Sequence, residues 1–189
     1  MSASAVESMV SAWVRRFMPL IPVGGEVLDL ACGNGRHARL LAAAGFRVAA
    51  VDRDAQALAA LRGVTSVSVL QADLEDGVWA YQERQFAGVV VTNYLFRPRL
   101  PQILASVDEP GVLIYETFMV GNERYGRPTN PDFLLESQEM LAWARQPNWR
   151  VLAFEEGEVA WPKPAVVQRL CAVRGELVSQ GRGRYKASA

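Results

Sequence analysis

The sequence predicts an α/β fold: a doubly wound, mostly parallel, seven-stranded sheet with helices on both faces and a terminal antiparallel hairpin. Short apolar runs alternate with helical segments along most of the 189 residues. This alternation is typical of a parallel sheet whose strands are buried on both faces. The last two strand-like segments have no helix between them, so we expect them to pair antiparallel.

The first element is an amphipathic helix. Apolar residues recur at every third or fourth position near the N-terminus, which predicts a helix that ends before Pro19. These residues are Val6, Val10, Trp13 and Phe17. We expect this segment, within residues 1–22, to cover the domain, either as core packing or as a cap over a ligand.

Seven segments have the apolar character of strands. They are Val27–Ala31, Phe46–Val51, Ser66–Leu70, Phe86–Thr92, Val112–Phe118, Val151–Val159 and Val166–Val173. Four segments are predicted helices, with Gly45 and Gly63 as C-terminal caps and Asp54 and Ser137 as N-terminal caps. They are Arg36–Ala44, Ala55–Arg62, Arg97–Val107 and Ser137–Arg145. We expect residues 1–174 to form one domain and the polar residues 175–189 a flexible tail.

The composition disfavours several classes of protein. The formal net charge is zero, so nucleic acid is not an expected partner. No apolar run reaches the length of about 18 residues that a membrane span needs, and no secretory signal is expected. Cys32 and Cys171 lack metal-ligand spacing, so no metal site is expected. We expect both to be reduced, in a cytoplasmic protein.

The segment Val27–His37 carries the most specific pattern. An apolar strand containing Asp29 leads into a turn with Gly33 and Gly35, and a helix follows. Glycine permits unusual backbone angles and a close approach of ligand to main chain, and the helix start offers free N–H groups. Asp52 comes seventeen residues after Gly35, at the end of the second strand, and Asp73 follows the third. Carboxylates at these strand ends suit the hydroxyl and amino groups of a nucleoside.

This arrangement resembles the class I S-adenosylmethionine-dependent methyltransferases, whose first motif is an apolar strand, an acidic residue and a Gly-x-Gly turn. The resemblance covers about Glu26 to Val173 and implies S-adenosylmethionine as the cofactor. It also implies which residues bind each part of that cofactor. They are Asp29, Ala31, Cys32, Gly33 and Gly35 at the methionine end, Asp52 at the ribose, Arg53, Asp73 and Leu74 at the adenine, and Asn93 beside the methyl group.

Two other functions compete with this interpretation. Gly33–Ala38 also satisfies the G-x-G-x-x-A pattern of NAD-dependent oxidoreductases, with Asp52 suitably placed. Asp29 argues against this alternative, because a carboxylate near the turn would repel a pyrophosphate and attract an ammonium and a sulfonium. The second alternative is a non-catalytic S-adenosylmethionine-binding module, which would keep the same binding residues.

The region after the fifth strand bears on the methyl acceptor. Tyr115–Phe118 and the Gly/Pro-rich pattern that follows, up to Leu135, resemble a small-molecule branch near the tellurite-resistance-type methyltransferases. The loop Gly121–Asp132 is interpreted either as a lid or as a rigid surface loop. Asn93–Phe96 lacks the proline pair of enzymes that methylate base amino groups, so amino methylation of DNA or RNA bases is disfavoured. The resemblance to the small-molecule branch makes a small molecule the expected acceptor.

The catalytic residues stay open at this stage. His37, the one histidine, lies in the glycine turn rather than near the acceptor. Glu116 and Tyr94 are the candidates for a base or an orienting group. We expect in-line displacement without a metal or a covalent enzyme intermediate, since orientation can supply much of the rate.

Overall fold

The computed structural model describes residues 10–160 and 162–176. Its sheet has seven strands in the order β3-β2-β1-β4-β5-β7-β6. The strands are β1 (Glu26–Leu30), β2 (Arg47–Asp52), β3 (Val67–Gln71), β4 (Phe86–Thr92), β5 (Val107–Phe118), β6 (Trp149–Val159) and β7 (Ala165–Arg174). Strands β1 to β5 are parallel, and β7 runs antiparallel to both β5 and β6. The predicted fold class, including the terminal hairpin, is therefore confirmed.

Five α-helices accompany the sheet within the described residues. They are α1 (Ala12–Phe17), α2 (Arg36–Ala43), α3 (Ala55–Leu58), α4 (Leu100–Ala105) and α5 (Glu139–Trp143). Five short 3-10 turns extend or connect them: Met18–Leu20, Ala59–Leu61, Arg97–Arg99, Asn122–Arg124 and Pro131–Phe133. No described helix is long and apolar enough to span a bilayer.

The core has two layers, one on each face of the sheet. Along β4, Val89 and Val91 pack into the layer that includes α4 and α5, whereas Val90 packs into the layer that includes α1 and α2. Successive side chains of a strand point to opposite faces, so a strand buried on both sides needs apolar residues along its whole length. This explains why β4, in which all seven residues are buried, is almost entirely apolar.

The predicted helix Arg97–Val107 ends too late, and this boundary is corrected by the structure. Helix α4 stops at Ala105, and Val107 already pairs with Phe86 as the first residue of β5. The register between β4 and β5 then shifts, so β5 begins five residues before the predicted Val112. This start of β5 was not predicted, because the polar residues that follow Val107 interrupt the apolar pattern of a buried strand.

The prediction of Ser137 as a helix cap is wrong. Its hydroxyl donates instead to Glu156 at 2.8 Å, and α5 begins at Glu139 after Gln138, which has a left-handed φ of 61°. Asp54 does cap α3, since its carboxylate accepts from the N–H groups of Gln56 and Ala57. Val6 and the predicted tail beyond Glu176 lie outside the described residues.

Candidate functional site

The turn after β1 has a left-handed backbone at three positions: Ala31 (φ 53°), Gly33 (φ 54°) and Gly35 (φ 74°). The two glycines have different surroundings. A Cβ on Gly33 would meet nothing within 4 Å, whereas a Cβ on Gly35 would lie 2.3 Å from the side chain of Leu61. Gly33 therefore borders open space at the site, and Gly35 allows the turn to pack on the core.

Asp52 holds this turn in place. Its Oδ2 accepts a 2.7 Å hydrogen bond from the N–H of Gly33, and its Oδ1 accepts from the N–H of Asp54 at 3.0 Å. Each carboxylate oxygen has two lone pairs, so both can still accept a hydrogen bond from a ligand hydroxyl.

A cavity of about 130 Å³ lies at the carboxyl ends of β1, β2 and β3. Ligands of open α/β sheets bind at this position, beside the point where the strand order reverses. Its lining includes five of the residues that the sequence predicts for the cofactor: Ala31, Asp52, Arg53, Asp73 and Leu74. Ala72, Glu75 and Tyr94 complete the lining and were not predicted as binding residues. Tyr94 was predicted instead as a candidate base or orienting group. The sequence signal for Ala72 and Glu75 is proximity alone, since they flank Asp73–Leu74.

Asp29 is buried with only partial compensation of its charge. The side chain is 1% exposed, and neither carboxylate oxygen has a hydrogen-bond partner of good geometry. Burial raises the pKa of Asp29 to about 7, although the nearby Ala38 N–H and the charge of Arg36 partly lower it. A buried carboxylate with so little hydrogen bonding is unfavourable for folding by itself, which makes Asp29 a candidate binding residue.

Arg36, the first residue of α2, lies close enough to Asp29 to lower its pKa. Its Nε is buried without a partner, and one terminal nitrogen donates to the hydroxyl of Thr92 at 3.4 Å. Arg36 was not predicted as a binding residue. Its place directly after Gly35 was the available signal, because the first turn of a helix that follows a glycine turn faces the ligand.

Two predicted cofactor-binding residues, Cys32 and Asn93, form backbone hydrogen bonds within the protein. The N–H of Cys32 donates to Val51, its carbonyl accepts from Gly35, and its side chain packs in the core layer of α1 and α2. Burial raises the pKa of the Cys32 thiol well above its usual range. Asn93 is exposed, has a φ of 56°, and donates its N–H to the carbonyl of Glu116. Neither residue lines the cavity beside Asp73.

The two candidate bases lie in different surroundings. Glu116 forms an ion pair with Arg169, at 2.6 Å from Nε to Oε2, and also accepts from the hydroxyl of Ser11 at 3.2 Å. Tyr94 lines the same cavity as Asp73, and its buried hydroxyl has no partner. Burial raises the pKa of Tyr94 above its ordinary value.

His37 connects the N-terminal helix to the glycine turn. Its Nε2 accepts from the N–H of Ser11 at 3.1 Å, and its Nδ1 lies 3.3 Å from the hydroxyl of Thr92. Burial lowers the pKa of His37 to about 3, so the ring is neutral at pH 7 and Nδ1 carries the proton. Ser11 caps α1, whose Trp13 and Phe17 pack in the core. This helix therefore serves core packing and also contacts the residues around the turn.

The loop Gly121–Asp132 is anchored at both ends. The side chain of Asn122, 2% exposed, accepts from the N–H of Val166 at 3.1 Å. Arg97 donates to the carbonyls of Asp132 and Leu134, and it forms two 2.8 Å bonds with the carboxylate of Glu139. These contacts favour a fixed loop over a lid that opens as a whole.

Metal-ligating residues do not cluster here: within residues 10–160 and 162–176, no three His, Cys, Asp or Glu side chains are placed to hold a metal ion. Both cysteines are free and buried.

Several solved structures share the fold. TehB from Haemophilus influenzae superimposes with a TM-score of 0.66 at 20% identity, over 87% of this chain and 61% of that chain. An S-adenosylmethionine-dependent methyltransferase from Mesorhizobium loti has a TM-score of 0.65 at 15% identity, over 87% and 99%. The glycopeptide N-methyltransferase MtfA has a TM-score of 0.60 at 17% identity, over 85% and 88%. This chain thus spans less than two thirds of TehB.

Curated proteins give no match to the sequence. A family of methyltransferase domains, in contrast, matches residues 27–109, which extend from β1 to the start of β5. The fold around this match is that of the class I methyltransferases, so the predicted fold is confirmed, and the match agrees with the family that the sequence resembles.

Proposed function

We propose that this protein transfers a methyl group from S-adenosylmethionine to a small-molecule acceptor by in-line displacement. One observation carries the proposal: Asp29 is buried at the glycine turn, and neither carboxylate oxygen has a hydrogen-bond partner of good geometry. A ligand with an ammonium group and a sulfonium would compensate that charge, whereas a dinucleotide would place a pyrophosphate near it.

The residues around Asp29 fit the amino-acid end of this cofactor. Arg36 has a buried, unpartnered Nε and can bind the carboxylate of the ligand while Asp29 binds its ammonium. Gly33 leaves open space for the ligand to approach the main chain. The backbone of Ala31, Cys32 and Gly35 shapes this turn. The cofactor supplies the methyl group as an electrophile on a positively charged sulfur.

The cavity beyond β2 and β3 fits the nucleoside end. Asp52 is proposed to accept from the ribose hydroxyls and Asp73 from the adenine amino group, with Arg53 and Leu74 packing on the base. The cavity of about 130 Å³ is smaller than the pockets of about 300 Å³ or more that hold small molecules. Binding of the nucleoside is therefore proposed to widen this cavity, and the half-buried side chain of Tyr94 is one lining group whose movement would do so.

We propose that the rate of methyl transfer comes from orienting the acceptor toward the methyl group rather than from a strong base. Asn93 follows β4, at the strand end where the methyl group would lie. Glu116 is held by Arg169 and Ser11, so its carboxylate is better placed to orient a polar acceptor than to take a proton. Tyr94, with a raised pKa, can donate a hydrogen bond but stays protonated at pH 7. An acceptor that is soft or already deprotonated needs no base.

A small metabolite is the proposed acceptor, and the cytoplasm is the proposed compartment. MtfA, which shares the fold, is a glycopeptide N-methyltransferase. The zero net charge gives no support for a nucleic-acid substrate. Two free thiols support a reducing compartment.

Calorimetry with S-adenosylhomocysteine and NAD tests the ligand class. We expect binding of S-adenosylhomocysteine, at least a tenfold loss of affinity in Asp29→Asn, and no loss in the control Glu83→Gln, which removes an exposed carboxylate. Binding of NAD alone would overturn the proposal. Incubation with methyl-labelled cofactor and a metabolite extract then tests catalysis. Cofactor binding without label in any product would favour the non-catalytic module.

A further inference from the structure

The outer strand β3 is unusually exposed. Four of its five residues are exposed, and they include the apolar side chains of Val69 (44%) and Leu70 (38%). It is one edge of the sheet, with β2 as its neighbour on one side alone. Edge strands of soluble proteins are commonly protected by charged residues, proline or a bulge. Residues 64–71 contain no charged residue and no proline.

The free backbone groups of this edge can be assigned. Ser66 accepts from the N–H of Val48, and Ala72 donates to the carbonyl of Asp52, so both point toward β2. Backbone groups of successive strand residues point to alternate sides. Val67, Val69 and Gln71 therefore direct their N–H and C=O groups away from β2. The N–H of Val67 donates to the carbonyl of Val64 at 3.3 Å. The outward groups left for pairing are the C=O of Val67 and both groups of Val69 and Gln71, and the described residues provide no partner strand for them.

We propose that the β3 edge pairs with the β3 edge of a second copy of this chain, antiparallel and about a twofold axis at Val69. Val69 would then lie opposite Val69 of the second copy, and Val67 opposite Gln71. An edge whose outward groups are centred on one residue is complementary to itself, as a twofold interface requires. The two sheets would join into one.

The charges beside this edge favour the antiparallel arrangement. Exposed basic residues lie at the amino end of the strand, namely Arg47 and Arg62. The carboxyl end has a net excess of exposed acidic residues around one exposed base, Arg53; these acids are Asp54, Asp73, Glu75 and Asp76. Antiparallel pairing brings the basic end of one copy to the acidic end of the other, whereas a parallel arrangement would bring like ends together.

The proposed dimer is a weak one. A five-residue edge is short for an interface, since stable protein pairs bury roughly 1,600 Å² in total. We therefore expect association that increases with protein concentration and weakens with salt, because exposed charges are screened.

Disulfide capture of Val69→Cys tests the register. Residues paired by hydrogen bonds across antiparallel strands have Cα atoms about 5.5 Å apart, which a disulfide can span. Leu70→Cys is the matched control. Leu70 is also exposed, but the proposed axis places the two copies of residue 70 about 8 Å apart, beyond disulfide reach. Both native cysteines are buried and contribute little background.

We expect mild oxidation to convert most Val69→Cys into a covalent dimer, with at least fivefold less dimer for Leu70→Cys. Circular dichroism and S-adenosylhomocysteine binding would verify that both variants fold. Equal yields from the two variants would overturn the proposed register. If Val69→Cys stays monomeric at all concentrations in sedimentation and its introduced thiol is shielded from a small thiol reagent, another part of the same chain covers the edge. That result would also overturn the proposal.

Discussion

The N–H of Gly33 donates a 2.7 Å hydrogen bond to Oδ2 of Asp52, so the end of β2 holds the turn that follows β1. The same carboxylate faces the cavity beside β3. One side chain therefore shapes the glycine turn and lines the cavity, so the proposed binding of a ligand there would be coupled to the geometry of the turn.

We expect Asp52→Ala to weaken S-adenosylhomocysteine binding by at least 30-fold. The substitution removes the hydrogen bond that holds the glycine turn, and it also removes the proposed acceptor for the ribose hydroxyls. The control is Asp54→Ala, which removes the cap of α3 and should lower the free energy of unfolding by about 1 kcal/mol. Calorimetry and urea unfolding measure both quantities. The coupling would be refuted if Asp54→Ala reduced affinity as much as Asp52→Ala did.

Asp29→Asn should stabilise the cofactor-free protein at pH 8 while it weakens cofactor binding. The substitution removes a buried charge that has no hydrogen-bond partner of good geometry, so the melting temperature should rise by a few degrees. The same change removes the proposed acceptor for the ligand ammonium. A variant with lower stability and unchanged affinity would mean that Asp29 supports the fold rather than the ligand.

The stability of this protein should depend on pH through two opposing groups. Burial raises the pKa of Asp29 from 3.8 to about 7, so the folded state holds the extra proton and stability falls as pH rises through that range. Burial lowers the pKa of His37 from 6.5 to about 3, so the unfolded state takes up the proton and stability falls as pH drops through that range. The two effects cancel between about pH 4 and 6.5.

In the Asp29→Asn variant, the effect of His37 on the pH dependence of stability should become measurable. The free energy of unfolding of the variant, relative to that of the native sequence, should increase by about 1.4 kcal/mol for each pH unit between about 4 and 6.5. Urea unfolding at several pH values measures this difference. A difference that does not change with pH would show that the pKa of Asp29 is not raised.

Two glycines of one turn should respond differently to alanine. Gly35→Ala places a Cβ against Leu61 and should destabilise the protein by about 2 kcal/mol or more. Gly33→Ala meets no atom of the protein, so its cost is that of a left-handed alanine, about 1 kcal/mol. Gly33→Ala should nevertheless reduce S-adenosylhomocysteine affinity at least tenfold, because its Cβ enters the space of the ligand. Equal stability losses with unchanged affinity in Gly33→Ala would contradict this distinction.

Arg97→Lys should loosen the segment after β5. Lysine keeps the charge but cannot bond two carbonyls and both oxygens of Glu139 together. We expect a loss of about 2 kcal/mol in stability and faster hydrogen exchange in residues 119–135. Arg124→Lys is the control, since Arg124 forms an exposed ion pair with Glu158. Similar exchange in both variants would mean that Arg97 does not anchor the loop.

Local patterns were sufficient for much of the fold and part of the site. β4 was predicted at its observed bounds because nearly all of its residues are apolar, and Asp54 was predicted as a cap because capping depends on neighbours within the same turn. The cavity acids Asp52 and Asp73 were also found from the sequence, since parallel strands end at one edge of the sheet.

The interaction partners of individual side chains could not be predicted from such local patterns. The ion pair of Glu116 with Arg169, the bond of His37 to Ser11 and the cap position before α5 depend on residues that are distant in the chain. The sequence was enough to identify the class I fold and the strand-end acids, because hydrophobic periodicity and turn chemistry act over a few residues. Only the folded chain decided which charges form ion pairs and that Asp29 is buried without a hydrogen bond of good geometry, because burial and pairing arise where separate elements pack together.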